Sequence, residues 1–418
     1  MARIEKLSAL EILDSRGRPT VRARCTLASG ATAAASVPSG ASTGRAEALE
    51  LRDGDARRYR GLGCRRAVGN VNGEINAALA GRDFENQSAL DMALIELDGT
   101  NNKARLGANA LLAVSLAFAR AAAAQNGQAL YQYFGTLINR APNSLPRPTI
   151  NLWSGGKHAG GQVEIQDVLI VPVAAQTMDA ALATAFAVYQ SAAELAQEKY
   201  ASRALTADEG GLAPPFPNIE TMLDDAIIAI QNAGYKPGRD VAIAIDVASS
   251  HFFGNQEYCF AGECIDSEAM IEQILSWLDN YPIISIEDGL SEDDWENWPR
   301  LRAAVNGRAL TLGDDLLCTH PTRIRRAIES NAADALLLKV NQIGTLSEAA
   351  QSLSLAREAG WKVVVSARSG ETEDDWLADL GVGWGGDFIK IGSITQSERL
   401  AKYNRLLEIE AETGWPLI

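Results

Sequence analysis

The chain has 418 residues, 47% of them hydrophobic and 22% charged, an ordinary soluble composition with room for a barrel of ~250 residues plus a smaller domain. Its 38 basic against 53 acidic side chains, a net charge of −15, exclude nucleic acid or an anionic membrane as partner, because both require a basic footprint. A small anionic ligand in a locally positive pocket stays allowed.

From the N-terminus, Met1 to Lys6 lacks the apolar core of a secretory signal. Ile4 to Ile12 and Thr20 to Leu27 alternate as a hairpin around the turn Asp14-Ser-Arg-Gly17. A third strand leads to Val37-Pro-Ser-Gly-Ala-Ser-Thr-Gly44, a loop of small residues that is either a flexible connector or a lid closing on a ligand. Helical periodicity runs from Ala67 to Phe134, including Gln87 to Leu97 and Ala108 to Ala124. The stretch Leu106 to Ala124, alanine-rich and interrupted by Asn109 and Arg120, reads as a buried core helix rather than a membrane span.

Residues 139–149, rich in proline, form a linker, so the expected domains are 1–138 and 150–418. Past the linker, Asn151 to Gly161 is a glycine-rich segment holding His158; it matches neither a P-loop nor a dinucleotide fingerprint. A strand with Gln166 and Asp167, a helix from Met178 to Tyr200, a polar loop Ala207 to Ala213 and a helix from Asn218 to Ala233 follow. Five cysteines (25, 64, 259, 264, 318), odd in number and without a C-x-x-C pair, read as reduced thiols of a cytoplasmic protein.

Between 241 and 392, six short apolar runs each stop at a polar residue: Asp246, Glu287, Asp314, Lys339, Arg368 with Ser369, and Lys390. Continuous apolar runs are how strands buried on both faces read. Repeated strand–helix units with chemistry at every carboxyl end predict an α/β fold built on a barrel of parallel strands, whose loops converge on one pocket; an open sheet would concentrate ligands at one switch point.

Three carboxylates, Asp246, Glu287 and Asp314, at successive strand ends repel one another unless a cation lies between them. Oxygen-only ligation selects a hard ion, Mg²⁺ first; the competing reading is salt bridging or helix capping. Lys339, emerging from a dry strand near Lys390 and a metal, is expected to have its pKa lowered toward neutrality and to act as a general base, or else to be a structural partner of Glu287 or Asp314. Glu209 is placed as the opposing acid, while Arg368 and Ser369 offer a fork and a hydroxyl suited to phosphate. His158 is either a hydrogen-bonded structural residue or part of the site; His251 and His320 read as structural.

Leu336 to Thr345 resembles the enolase signature. So do Ser39 to Gly44, Glu47 to Asp55, Asp208 to Gly211, Ser369 to Asp374 and Ser397 to Asn404, in order over nearly the whole chain. The resemblance implies an N-terminal α+β domain capping an enolase-type TIM-like (β/α) barrel, dimeric or octameric, that dehydrates 2-phosphoglycerate to phosphoenolpyruvate with two Mg²⁺ ions. It implies that Asp246, Glu287 and Asp314 hold the first metal and that Ser42, with the substrate phosphate, helps hold the second. Lys339 would be the base, Glu209 the acid, Arg368 and Ser369 the phosphate clamp, and Lys390 a carboxylate contact.

The chain departs from the family pattern in its substrate loops. Ala367 replaces a histidine, Asp167 a glutamate, Ser154 to Gly161 an Asn-Gly-Gly-Ser-His-Ala-Gly-Asn segment, and Lys390 to Ile394 a Lys-Thr-Gly-Ala-Pro segment, while metal ligands and base are kept. Ala367 and Gly161 enlarge the pocket, Asp167 changes how a leaving hydroxyl is protonated, and Lys157 adds positive charge. Together they suit a bulkier or more anionic ligand, as in carboxyphosphonoenolpyruvate synthases of phosphonate antibiotic pathways, which use a phosphonoformyl donor. A housekeeping enolase and a non-catalytic protein of the same fold are the alternatives. Arg22 stands where enolases usually have a glutamate near the subunit interface.

Overall fold

The structure, a computed structural model, describes residues 1–41, 43–202, 205–260 and 262–418. The N-terminal part is a four-stranded antiparallel sheet, β1 (Ala2–Leu13), β2 (Pro19–Leu27), β3 (Thr32–Ser36) and β4 (Asp83–Phe84), in the order β3-β2-β1-β4. Alternate residues Ile4, Val21, Ala23, Cys25 and Leu27 are buried, the period-two pattern of a sheet with one covered face. The cover is helical: α1 (Arg65–Asn70), α2 (Asn76–Leu79), α3 (Gln87–Asp98) and α4 (Ala108–Gln125) lie on the sheet, and α5 (Leu130–Thr136) packs against α4. Helix α4 is long and apolar enough to cross a membrane, but 83% of it is buried inside the protein, packed against β2 and β3.

The larger part is a closed eight-stranded barrel. Its strands are β5 (Arg147–Ser154), β6 (Asp167–Val171), β7 (Ala242–Asp246), β11 (Ile283–Glu287), β12 (Leu310–Gly313), β13 (Ala335–Leu338), β14 (Lys362–Ser366) and β15 (Phe388–Gly392). The three remaining strands, β8 (Phe253–Gly254), β9 (Glu257–Phe260) and β10 (Glu263–Ile265), form a small sheet after β7. Around the barrel run α6 (Met178–Tyr200), α7 (Ile219–Asn232), α8 (Ser267–Asn280), α9 (Trp298–Val305), α10 (Pro321–Ser330), α11 (Leu346–Glu358), α12 (Trp376–Gly383) and α13 (Ser397–Thr413).

All six apolar runs noted between 241 and 392 are barrel strands. The expectation of an all-parallel barrel is corrected, because β6 pairs antiparallel with both β5 and β7. The reversal has a consequence for chemistry: Gln166 and Asp167 stand at the start of β6, yet lie at the mouth where the parallel strands end. The reduced-thiol expectation is also corrected, since Cys259 and Cys264 form a disulfide across the β9–β10 hairpin; Cys25, Cys64 and Cys318 are free and buried.

Candidate active site

Strand periodicity aims the polar residues. Leu169, Val171, Ala244, Leu312, Ala335, Leu337, Val364 and Phe388 belong to two small apolar clusters inside the barrel. The residue two further toward the mouth on each strand shares their face: Asp167 beyond Leu169, Asp246 beyond Ala244, Asp314 beyond Leu312, Lys339 beyond Leu337, and Lys390 beyond Phe388. Register sets them side by side, with Ser154 opposite Asp167, Asp167 opposite Asp246, and Asp246 opposite Glu287.

Two lysines stand among the carboxylates. Lys390 Nζ donates to Asp246 Oδ2 at 2.9 Å and to Glu287 Oε2 at 2.7 Å. Lys339 Nζ donates to Asp314 Oδ2, whose other oxygen accepts from Gln342 Nε2 at 2.8 Å. Gln166 Nε2 adds a bond to Asp246 Oδ2 at 3.1 Å. Asp246, Glu287 and Asp314 therefore open on one mouth, with Lys390 bridging the first two and Lys339 paired with the third. The groups of three whose possible ligand atoms lie mutually within 4.8 Å among the described residues are His158, Asp167, Glu209 and Asp288, Asp314, Asp315.

Burial, then Asp246, pushes the Glu287 carboxyl well above the usual range, and its Oε1 finds no hydrogen-bond partner among the described residues. Burial opposes the charge on Asp246 too, but Lys390 wins and holds it at about 2. An orphaned buried oxygen within an oxygen-only donor set fits a hard divalent cation. The expected lowering of the Lys339 pKa is corrected for the chain's own charges: burial favours the neutral amine, but the Asp314 carboxylate outweighs it and the pKa rises.

On the other side, His158 Nδ1 is 2.8 Å from Asp167 Oδ2 and its Nε2 is 3.7 Å from Glu209 Oε1. Ser154 Oγ donates to Asp167 Oδ1 at 2.6 Å and Asn151 Nδ2 to Glu209 Oε2 at 3.1 Å. Burial disfavours the imidazolium, but Asp167 and Glu209 outweigh it, and the His158 pKa is pushed up to about 9. Glu209 goes the other way: burial raises it, while His158, Arg399, Lys390 and Lys339 together hold it below its ordinary value. The fields in this cluster favour a charged His158 and an ionised Glu209, while burial raises Asp167 above its ordinary value against the pull of His158.

Arg368 and Ser369 are both buried and both engaged by the N-terminal domain. Glu47 takes the guanidinium with two oxygens, each at 3.1 Å; Asn341 Oδ1 accepts from Arg368 Nη1 at 2.9 Å, and Ala41 N donates to Ser369 Oγ at 2.7 Å. Beneath them, fully buried Arg399 donates to the carbonyls of Arg368 and Ser369, each at 2.7 Å. Ala367 is buried, its amide bonded to the Lys390 carbonyl at 2.8 Å. Lys157 is exposed. Ser42 lies outside the described residues.

The sequence reading missed Glu47, Asn341, Gln342, Asn151 and Arg399. Glu47, Asn341, Gln342 and Arg399 lie inside the quoted motifs, so the signal was present without a stated role. His320 is structural as expected, its ring accepting from Thr322 N at the start of α10. His251 is not remote: burial and then Lys157 lower its pKa to about 4, and the charges of Asp246 and Asp314 reach it. Its Nδ1 is buried without a hydrogen-bond partner among the described residues.

Residues 142–416 match the family model for the enolase C-terminal TIM barrel domain, and residues 4–134 match that for the enolase N-terminal domain. The chain belongs to the enolase family. As an enolase-family protein it carries the acidic barrel mouth, the paired lysines and the capping domain in one molecule, the equipment of an enolase-like enzyme.

Proposed function

We propose that this enolase-family protein removes the proton α to the carboxylate of a three-carbon phosphorylated acid, with Lys339 as the base. The observation that carries this is the meeting of Lys339 with the Asp246, Glu287 and Asp314 carboxylates at one buried mouth, while the His158–Asp167–Glu209 cluster stands close enough for Lys339 to influence Glu209. Arg368 and Ser369 hold the phosphoryl group and Lys390 the carboxylate. Lys339 Nζ takes the Cα proton, which puts negative charge on the substrate carboxylate. On the opposite face the His158–Glu209 pair supplies a proton to the departing group, with Asp167 and Ser154 fixing the imidazole. Mg²⁺ held by Asp246, Glu287 and Asp314, with a second ion near Ser42, would stabilise the doubly charged enolate and favour the neutral amine of Lys339.

Within this reaction class we favour a specialised relative of the carboxyphosphonoenolpyruvate synthase kind. Ala367 beside Lys390 offers a methyl where the family pattern has an imidazole, Asp167 is one methylene shorter, and Lys157 brings an exposed cation to the loop bearing His158. These features suit a bulkier, more anionic ligand bearing a phosphonoformyl group. Retention of Lys339 and Glu209 argues against a non-catalytic protein of the same fold, and the second reading is a housekeeping enolase. The assay is Mg²⁺-dependent formation of phosphoenolpyruvate from 2-phosphoglycerate, followed by ultraviolet absorbance, beside phosphorus NMR with a phosphonoformyl donor. The specialised reading expects slow dehydration and donor turnover; brisk dehydration abolished by EDTA, with no donor turnover, overturns it in favour of the second.

A further inference from the structure

The loop between β3 and α1 reaches across to the barrel and touches three consecutive residues beyond β14. Ser39 pairs with Gly370 through two backbone hydrogen bonds of 2.8 and 2.9 Å, the Ala41 amide bonds Ser369 Oγ, and Glu47 takes Arg368 in a two-pronged pair. Glu47 is unlike the other two contacts because it faces both ways. Its Oε1 also accepts the Gly44 amide at 3.1 Å, within its own loop, and Gln342 Nε2 at 3.4 Å, the same amide group that holds Asp314.

A buried guanidinium demands a counter-charge, and a carboxylate that meets it with both oxygens also fixes its plane. The largest counter-charge, Glu47, comes from the other domain, with Asp314 of the barrel adding to it. We propose that Glu47 is a positioning residue that couples the loop residues 39–41 and 43–47 to Arg368, so that they and the anion-binding arginine take up their working places as one unit. This deepens the reading of Arg368 as the group that meets the substrate phosphoryl. With the loop seated, Glu47 fixes the plane of the Arg368 guanidinium; displacing the loop removes that two-pronged contact and leaves the bond from Nη1 to Asn341.

The experiment is amide hydrogen exchange on the whole protein without substrate, comparing Glu47→Gln, Arg368→Gln and the double variant. Glu47→Gln keeps the size of the side chain and removes its charge. Each single change is expected to speed exchange at residues 41–48 about tenfold, and the double variant no further, because both break one joint. Amides of β13 and α11 serve as the internal control and are expected to exchange as in the parent. Parent-like exchange at 41–48 in Glu47→Gln, effects that multiply in the double variant, or acceleration spread over the whole barrel would overturn the proposal. With 2-phosphoglycerate, Glu47→Gln is expected to raise KM about tenfold with little change in kcat, and Glu47→Asp to restore part of it. Failure of the parent protein to bind any phosphorylated acid counts against the proposed function, while the exchange data still decide the joint.

Discussion

At the scale of single residues, the mouth of the barrel is governed by how few groups carry many charges. Lys390 is bonded to both Asp246 and Glu287, so Lys390→Met leaves two buried carboxyl groups facing each other without their shared cation. Removing one partner of a buried pair costs on the order of 3–5 kcal/mol, and urea unfolding in EDTA is expected to show a loss of that size. Lys339→Met tests the base directly: incorporation of deuterium at the α carbon of substrate, read by proton NMR, is expected to fall ~10²–10⁴-fold. His158 sets a pH dependence. Its folded pKa of about 9 lies above the ordinary 6.5, so its contribution to stability is full below pH ~6.5 and is lost as pH rises through 9. Unfolding free energies measured from pH 6 to 9.5 are expected to decline across that window, and His158→Gln to flatten the decline.

At the scale of elements, one strand and one hairpin did what periodicity does not announce. Strand β6 runs against its neighbours, and that reversal delivers Asp167 to the mouth from the beginning of a strand rather than its end. A run such as Asp167-Val-Leu-Ile-Val171 reads the same in either direction, because burial on both faces erases the polarity of the pattern. The β9–β10 hairpin brings Cys259 opposite Cys264, a pairing of cross-strand neighbours fixed by register rather than by a motif. The other three thiols are buried, and burial pushes the pKa of Cys25 to about 12 and that of Cys64 to about 11. Iodoacetamide is therefore expected to label no cysteine in the native protein, three in urea and five after reduction in urea, counted by intact mass.

At the scale of the whole molecule, the proposed site lies where the two domains meet, and membership of the enolase family implies Mg²⁺, which the acidic groups of the mouth could hold. A ligand that binds only the folded state stabilises it by about 2.7 kcal/mol at a hundred times its Kd; millimolar Mg²⁺ is expected to raise the melting temperature, and EDTA to reverse the rise. What the sequence alone determined was considerable: six strands, their polar ends, the hairpin of β1 and β2, the core helix α4 and the family itself were all legible. Local hydrophobic period and contiguous motifs encode those directly. Only the tertiary structure decided that Lys390 bridges Asp246 and Glu287 while Lys339 pairs with Asp314, that the surrounding charges favour a charged His158 beside an ionised Glu209, and that Glu47 of one domain holds Arg368 of the other. Each of these depends on distances between groups far apart in sequence. Charge and proton positions follow from the summed field of such groups, and no single stretch of chain contains that sum.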